Sequence, residues 1–138
     1  MKLFLDANVL VSILNHEMPV FSYASRILSL PTFNTKFEIY TTPICLAIAY
    51  CFSEKKSGNK KALEKMQLLS KHLKIATVGE KEVNATNGNV KIIDYEDGLQ
   101  YYAALHAHCS AIITENTRDF YFSEIPVYTS KEFILNIL

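Results

Sequence analysis

Nine polar residues that could act on a charged substrate fall in three short stretches of this 138-residue chain. Asp6 and Asn8 close the first apolar run; Asp94, Glu96 and Asp97 open a later helical pattern; Thr114, Asn116, Arg118 and Asp119 follow a second apolar run. Carboxylates brought to one edge repel, and each has its pKa raised unless a cation compensates. A hard divalent ion suits such a set, because Mg²⁺ and Mn²⁺ favour oxygen ligands and accept water in the remaining positions. Each stretch also has a purely structural reading. Asp6 and Asn8 can end a strand and cap a helix, Asp94 and Asp97 can satisfy first-turn amides, and Asn116 to Asp119 can form a turn.

The elements that must position these residues follow from periodicity. Leu3-Phe4-Leu5 between Lys2 and Asp6 reads as a short central strand buried on both faces, with Asn8 capping a helix from Val9 to about Asn15. A second helix runs from about Pro19 through Tyr23, Ile27 and Leu28, and Phe37 to Thr41 alternates as strand two. Thr42-Pro43 opens a third helix, which Ser57-Gly58-Asn59 breaks. Lys60 to His72 is amphipathic, with Leu63, Met66, Leu69 and Leu73 on one face. Lys74 to Val78 is strand three, Glu80 to about Ala85 a short helix, and Asp94 to His106 a long one with Leu99, Tyr102 and Ala103 inward. Ala111 to Thr114 and Ile125 to Tyr128 are strands four and five, and Ser130 caps a last helix to Leu138.

Alternating strands and helices predict an α/β fold, a three-layer α/β/α sandwich with a mainly parallel sheet of about five strands. Sites in such sheets lie beyond the carboxyl ends of the strands. If strands one and four are neighbours, all three polar stretches meet there.

Composition narrows the function classes. Fourteen basic and fourteen acidic residues cancel, so any nucleic-acid affinity must come from a local patch. Cys45, Cys51 and Cys109 form no C-x-x-C pair and read as small core residues. The longest apolar run, Ile44 to Phe52, is too short to span a bilayer. The opening residues start as a secretory leader does, but Asp6 and Asn8 interrupt them, so a cytoplasmic protein is expected. Four glycines provide no G-x-G-x-x-G loop for a dinucleotide.

Three segments together resemble the PIN-domain ribonucleases, including the VapC-like toxins of bacterial toxin–antitoxin systems. They are Leu3-Phe4-Leu5-Asp6-Ala7-Asn8-Val9-Leu10, then Asp94 through Ala104, then Ile112 through Phe120 followed by Ile125-Pro126-Val127 and Glu132-Phe133. The resemblance runs nearly end to end and implies one PIN-like domain over residues 1–138. It implies that Asp6 and Asp97 match the first and third acidic metal-site residues, and that Asn116 and Asp119 match the fourth region. Asp6, Asp97 and Asp119 would then be catalytic and, with Asn116, would ligate the metal, with Asn8, Asp94, Glu96 and Thr114 lining the site and Arg118 touching phosphate. The implied activity is cleavage of RNA with Mg²⁺ or Mn²⁺, and the implied partners are an antitoxin protein and a second copy of the chain.

One position departs from the family pattern. The glutamate usually found on the helix after strand two falls on Ile48, and no acidic residue lies between Glu38 and Glu54. Glu96 is the candidate substitute, although on a helix it points about 100° from Asp97. A degenerate domain that binds RNA or a protein without cleaving is therefore the alternative. A third reading makes Asp6 a phosphatase-like nucleophile, a chemistry that normally wants an acid at position 8. Half of the basic residues lie between Lys55 and Lys74. Lys55, Lys56, Lys60 and Lys61 are either a solvated helix face or a flank that binds the RNA backbone.

Overall fold

The computed structural model of the chain describes residues 1–138. Its centre is strand β1 (Lys2–Leu5), whose Leu3, Phe4 and Leu5 are wholly buried. Helices α1 (Ala7–Leu14) and α2 (Val20–Phe33) lead to β2 (Glu38–Thr41). Next come α3 (Pro43–Ser57), α4 (Asn59–Ser70) and β3 (Lys74–Ile75). Helices α5 (Glu80–Asn87) and α6 (Tyr95–His106) precede β4 (Ala111–Ile113), a 3-10 turn (Thr117–Phe120) and β5 (Val127–Tyr128). A final turn, α7 (Ser130–Glu132), runs into a wider π-type turn over Phe133–Ile137.

The sheet has the order β3-β2-β1-β4-β5 and every pair is parallel, so the expected five-stranded α/β sandwich is what forms. All carboxyl ends share one edge. Chain direction across the sheet reverses around β1, which pairs with β2 on one side and β4 on the other. The crevice above β1 and β4 is thus the switch point where such folds place their sites.

The local structure corrects five readings. Helix α1 starts at Ala7, because Asp6 and not Asn8 is its cap: the Ala7 amide donates to Asp6 Oδ1 at 2.8 Å. Strand β3 stops at Ile75, since its partner β2 ends at Thr41 and turns into α3. On α4 the inward row is Ala62, Met66 and Leu69, a 3.6-residue stripe that leaves Leu63 out at 47% exposure, and Leu73 packs on the core from the connection after the helix. On α6 it is Gly98, Gln100, Tyr101, Ala103 and Ala104 that are buried, with Leu99 and Tyr102 half-buried. Thr129 caps the last helix through the Glu132 amide, while Ser130 is held from outside by the Glu115 carboxylate at 2.7 Å.

Gly98 is required by proximity. A Cβ there would lie 2.6 Å from Thr86 Cγ2 and 2.8 Å from Ile92 Cδ1, so its absence lets α5 sit close against the first turn of α6. No helix of the fold is long and apolar enough to cross a membrane.

Candidate active site

Asp6 is the fixed point of the site. It is 7% exposed, and Thr114 donates its hydroxyl to Asp6 Oδ2 at 2.8 Å while the Ala7 amide holds Oδ1. Burial raises its pKa above the ordinary carboxylate value, against the lowering effect of those two hydrogen bonds. Asn8 ties α1 to the strand beside it: its amide nitrogen donates to Thr114 Oγ1 at 3.1 Å and its carbonyl accepts the Glu115 amide at 3.1 Å. Below Asp6, the buried Cys45 thiol approaches Oδ1 at 4.0 Å, and burial pushes that thiol up to about 12. Cys45 therefore stays a thiol able to donate.

A groove of about 490 Å³ opens over this point. Six carboxylates line it, from Asp6, Glu17, Glu96, Asp97, Glu115 and Asp119, and no lysine, arginine or histidine does. Val11, Val20, Ile48 and Phe52 form its apolar wall. A hollow of similar size, about 540 Å³, lies at the amino ends of β2 and β3 beside Lys71, His72 and Lys74. It holds none of the residues that end β1 or β4, so the acidic groove is the chemically equipped one.

Asp97 reports the electrostatics. Its carboxyl is pushed up to about 7, first by desolvation and then by Asp94, Asp119, Asp6 and Glu96. The Glu96 carboxyl is raised for related reasons, burial and the charges of Asp94 and Asp6. Asp94 caps α6 by accepting the Asp97 amide at 3.2 Å and does not line the groove. Asn116 is exposed and spends its amide on Asp119 Oδ2 at 2.8 Å, which orients that carboxylate. Arg118 is exposed in the same 3-10 turn.

These residues fit a divalent cation. The donors are hard oxygens, no basic side chain lines the groove to neutralise them, and burial together with the neighbouring carboxylates keeps the Asp97 carboxyl protonated well above the ordinary range. No three of these side chains stand close enough together to hold an ion as they are arranged in the structure. Ile48 lies in this groove, so a carboxylate at that position would face the same space as Asp6 and Asp97.

The sequence reading missed Glu17 and Glu115. Glu17 stands in a patternless connection after α1, bonded to Ser12 Oγ at 3.3 Å, and nothing in its neighbourhood marks it. Glu115 sits inside a highlighted segment, but its partner Ser130 is fifteen residues away. Gln100 was also unforeseen: it is fully buried, accepts the Thr42 hydroxyl at 2.5 Å, and leaves its amide nitrogen without a partner. Thr42 in turn caps α3 on the Cys45 amide. This chain of contacts locks α6 to the helix beneath Asp6.

The four lysines separate. Lys56 donates to the Asn15 carbonyl at 2.6 Å at the end of α1, whereas Lys55 lies over the Phe52 ring; neither lines the groove. Lys60 and Lys61 are exposed at the start of α4 and do not line the groove.

Residues 2–118 match the family model of the PIN domain, and the chain belongs to the PIN-domain family. Within that family its likeness runs to the VapC ribonucleases. It is 30% identical over 136 residues to Ribonuclease VapC1 of Aquifex aeolicus (strain VF5), covering 96% of this chain and 92% of that one. Two solved structures share the fold. VapBC2 from Rickettsia felis, bound to a DNA fragment from its promoter, matches at a TM-score of 0.69 and 17% identity over 93% of this chain and 97% of that chain. Mycobacterium tuberculosis VapC20, described as a Sarcin-Ricin loop cleaving toxin, matches at 0.61 and 12% identity over 80% and 86%.

Proposed function

We propose that this protein is a metal-dependent endoribonuclease of the toxin type, a single cytoplasmic PIN domain that acts as a homodimer and is restrained by an antitoxin protein. The observation that carries the reading is the groove above β1 and β4, lined by six carboxylates and no basic side chain, in a chain so similar to a VapC ribonuclease. Asp6, Asp97 and Asp119 would hold Mg²⁺ or Mn²⁺, with Asn116 orienting Asp119 and Glu96 replacing the carboxylate absent at position 48. When bound, the ion lowers the pKa of a coordinated water and offsets charge on the phosphoryl oxygens. Thr114 and the Ala7 amide keep Asp6 in one rotamer, so its charge faces the same point throughout the reaction. Asn8 fixes the loop after β4 against α1. Arg118, exposed in the turn that carries Asp119, would pair with a phosphate of the RNA outside the groove.

A second reading rests on Ile48: with one carboxylate fewer, the groove binds RNA or a protein and cleaves nothing. Incubating the chain with a structured RNA and a single-stranded RNA separates the two. Cleavage in Mg²⁺ or Mn²⁺ that EDTA abolishes and added metal restores is the expected result. Intact RNA at every metal concentration would favour the binding module.

Ion binding is expected to be pH-dependent. Asp97 must shed its proton to coordinate, so affinity for Mn²⁺ rises from pH 6 to pH 8, by up to about ten-fold per pH unit below 7. The sign reverses for the metal-free fold. The native Asp97 carboxyl holds its proton more tightly than the unfolded one, so stability increases as pH falls from about 7 toward the ordinary carboxylate value. Calorimetric titration at several pH values, in buffers of different ionisation enthalpy, reads both the slope and the released proton. A flat affinity profile would remove Asp97 from the ion's shell.

A further inference from the structure

Asp6 ends β1 and Asp97 stands in the first turn of α6, so the two carboxylates belong to different layers of the fold. The other side-chain hydrogen bonds of α6 to the rest of the fold lead away from β1. His106 pairs with Glu82 of α5, Asn89 donates to the Tyr102 hydroxyl, and the Glu124 amide donates to the Tyr101 hydroxyl. The helix packs chiefly on α5 and on the 3-10 turn over Thr117–Phe120. Gln100 alone reaches across. It lies about 4.5 Å along the helix from Asp97, on nearly the same face, and accepts the Thr42 hydroxyl at 2.5 Å. Thr42 Oγ1 also accepts the Cys45 amide at 3.1 Å, and the Cys45 thiol approaches Asp6 Oδ1 at 4.0 Å. Asp97 and Asp6 are thus linked from beneath through Gln100, Thr42 and Cys45.

Two observations give this link a purpose beyond holding the core. Gln100 is fully buried and its amide nitrogen has no partner, which destabilises the fold; an apolar side chain of the same length would avoid that cost. The contact also opposes a force, because the like charges of Asp6, Asp97 and Asp119 in one groove push α6 away from the end of β1. We propose that Gln100 is a positioning residue for the metal site: anchored on Thr42, it limits how far Asp97 moves from Asp6, so that both carboxylates can reach one ion. The proposal rests on the reading of the groove as a divalent-cation site and adds to it a residue that touches neither the ion nor the RNA. A polar side chain kept in the core at a cost to stability, one turn behind a metal-binding carboxylate, acts as the outer support that fixes such a ligand's orientation.

The test is calorimetric titration of the full chain with Mn²⁺, with melting temperatures measured in EDTA. Gln100→Met fills the same space without the unpaired donor. Its metal-free melting temperature is expected to equal or exceed that of wild type while its Kd for Mn²⁺ rises roughly ten-fold. Thr42→Ser keeps the hydroxyl and should stay within about two-fold of wild type. Thr42→Val removes the other partner, at some cost to the start of α3, and should raise Kd by a similar factor to Gln100→Met. Gln100→Met combined with Thr42→Val should bind no more weakly than either alone, since all three lose the same contact. A merely structural contact gives the opposite pattern, a lower melting temperature with Kd unchanged. Wild-type Kd in a folded Gln100→Met protein overturns the proposal, and so do fully additive losses in the double variant. If Gln100→Met does not fold, equal Kd values for Thr42→Ser and Thr42→Val overturn it instead. A wild-type chain that takes up no Mn²⁺ would sink the metal-site reading and this proposal with it; uptake that none of the substitutions weakens would sink the proposal alone.

Discussion

Asp6→Asn is expected to leave the fold standing and to lower RNA cleavage on the order of 100-fold or more. Asparagine caps a helix as well as aspartate, so α1 keeps its start. Only one of its two terminal atoms accepts, however, while both Asp6 oxygens receive hydrogen bonds in the native arrangement, from the Ala7 amide and the Thr114 hydroxyl. The Thr114 hydroxyl must therefore give up its bond to residue 6 and turn its proton to Asn8 Oδ1, 3.4 Å away, and the negative charge at the base of the groove is gone. Circular dichroism should show native helix content and a melting temperature close to wild type, because removing a buried charge relieves desolvation as it costs a hydrogen bond. Single-turnover cleavage in Mn²⁺ measures the loss. A rate within a few-fold of wild type would remove Asp6 from the reaction.

How far the sequence could foresee this arrangement depends on the range of the interactions involved. Leu3-Phe4-Leu5 announced a buried central strand because a continuous apolar triplet next to an aspartate has few other uses, and Thr42-Pro43 announced a helix start through its own local cap. The pairing of β1 with β4 was only conditional in the sequence, yet it is the contact that brings Thr114 to Asp6. Short β3 was overread because strand length is set by where its neighbour β2 turns away, not by the Lys74–Val78 pattern. The same limit explains Leu63: four leucine and methionine positions define more than one stripe, and packing against α3 and α1 chose the one centred on Ala62 and Leu69. Within the site, residues on strand ends and helix caps were legible, since their types and spacing carry a local signature. Glu17, Glu115 and Gln100 were not, because each acts through tertiary proximity alone. Glu96 lines the groove with Asp97 despite the 100° between adjacent helical positions, since it stands in the first turn of α6 at the groove's edge, where the space wraps around the helix end.

Ile48→Glu and Glu96→Gln are expected to move metal affinity in opposite directions, each by about ten-fold, and to cancel when combined. Ile48 and Glu96 line one groove with Asp6 and Asp97, so a carboxylate introduced at 48 enters the space that the glutamate at 96 already serves. In the absence of metal, Ile48→Glu costs stability twice. It forfeits the apolar contact of a half-buried isoleucine, about 1 kcal/mol, and it adds a like charge to a groove that already keeps the Asp97 carboxyl near 7. Mn²⁺ recovers the second cost but not the first. The gap in melting temperature between metal-free and Mn²⁺-loaded protein should consequently widen for Ile48→Glu, narrow for Glu96→Gln, and return near wild type in the double variant. Cleavage should follow the same order at limiting metal and converge at saturating metal, because the change acts on occupancy of the site. Unchanged Mn²⁺ affinity in Glu96→Gln would show that this carboxylate only favours the positive end of the α6 dipole. Unchanged affinity in Ile48→Glu would place the ion away from α3, closer to the β4 side of the groove where Asn116 orients Asp119.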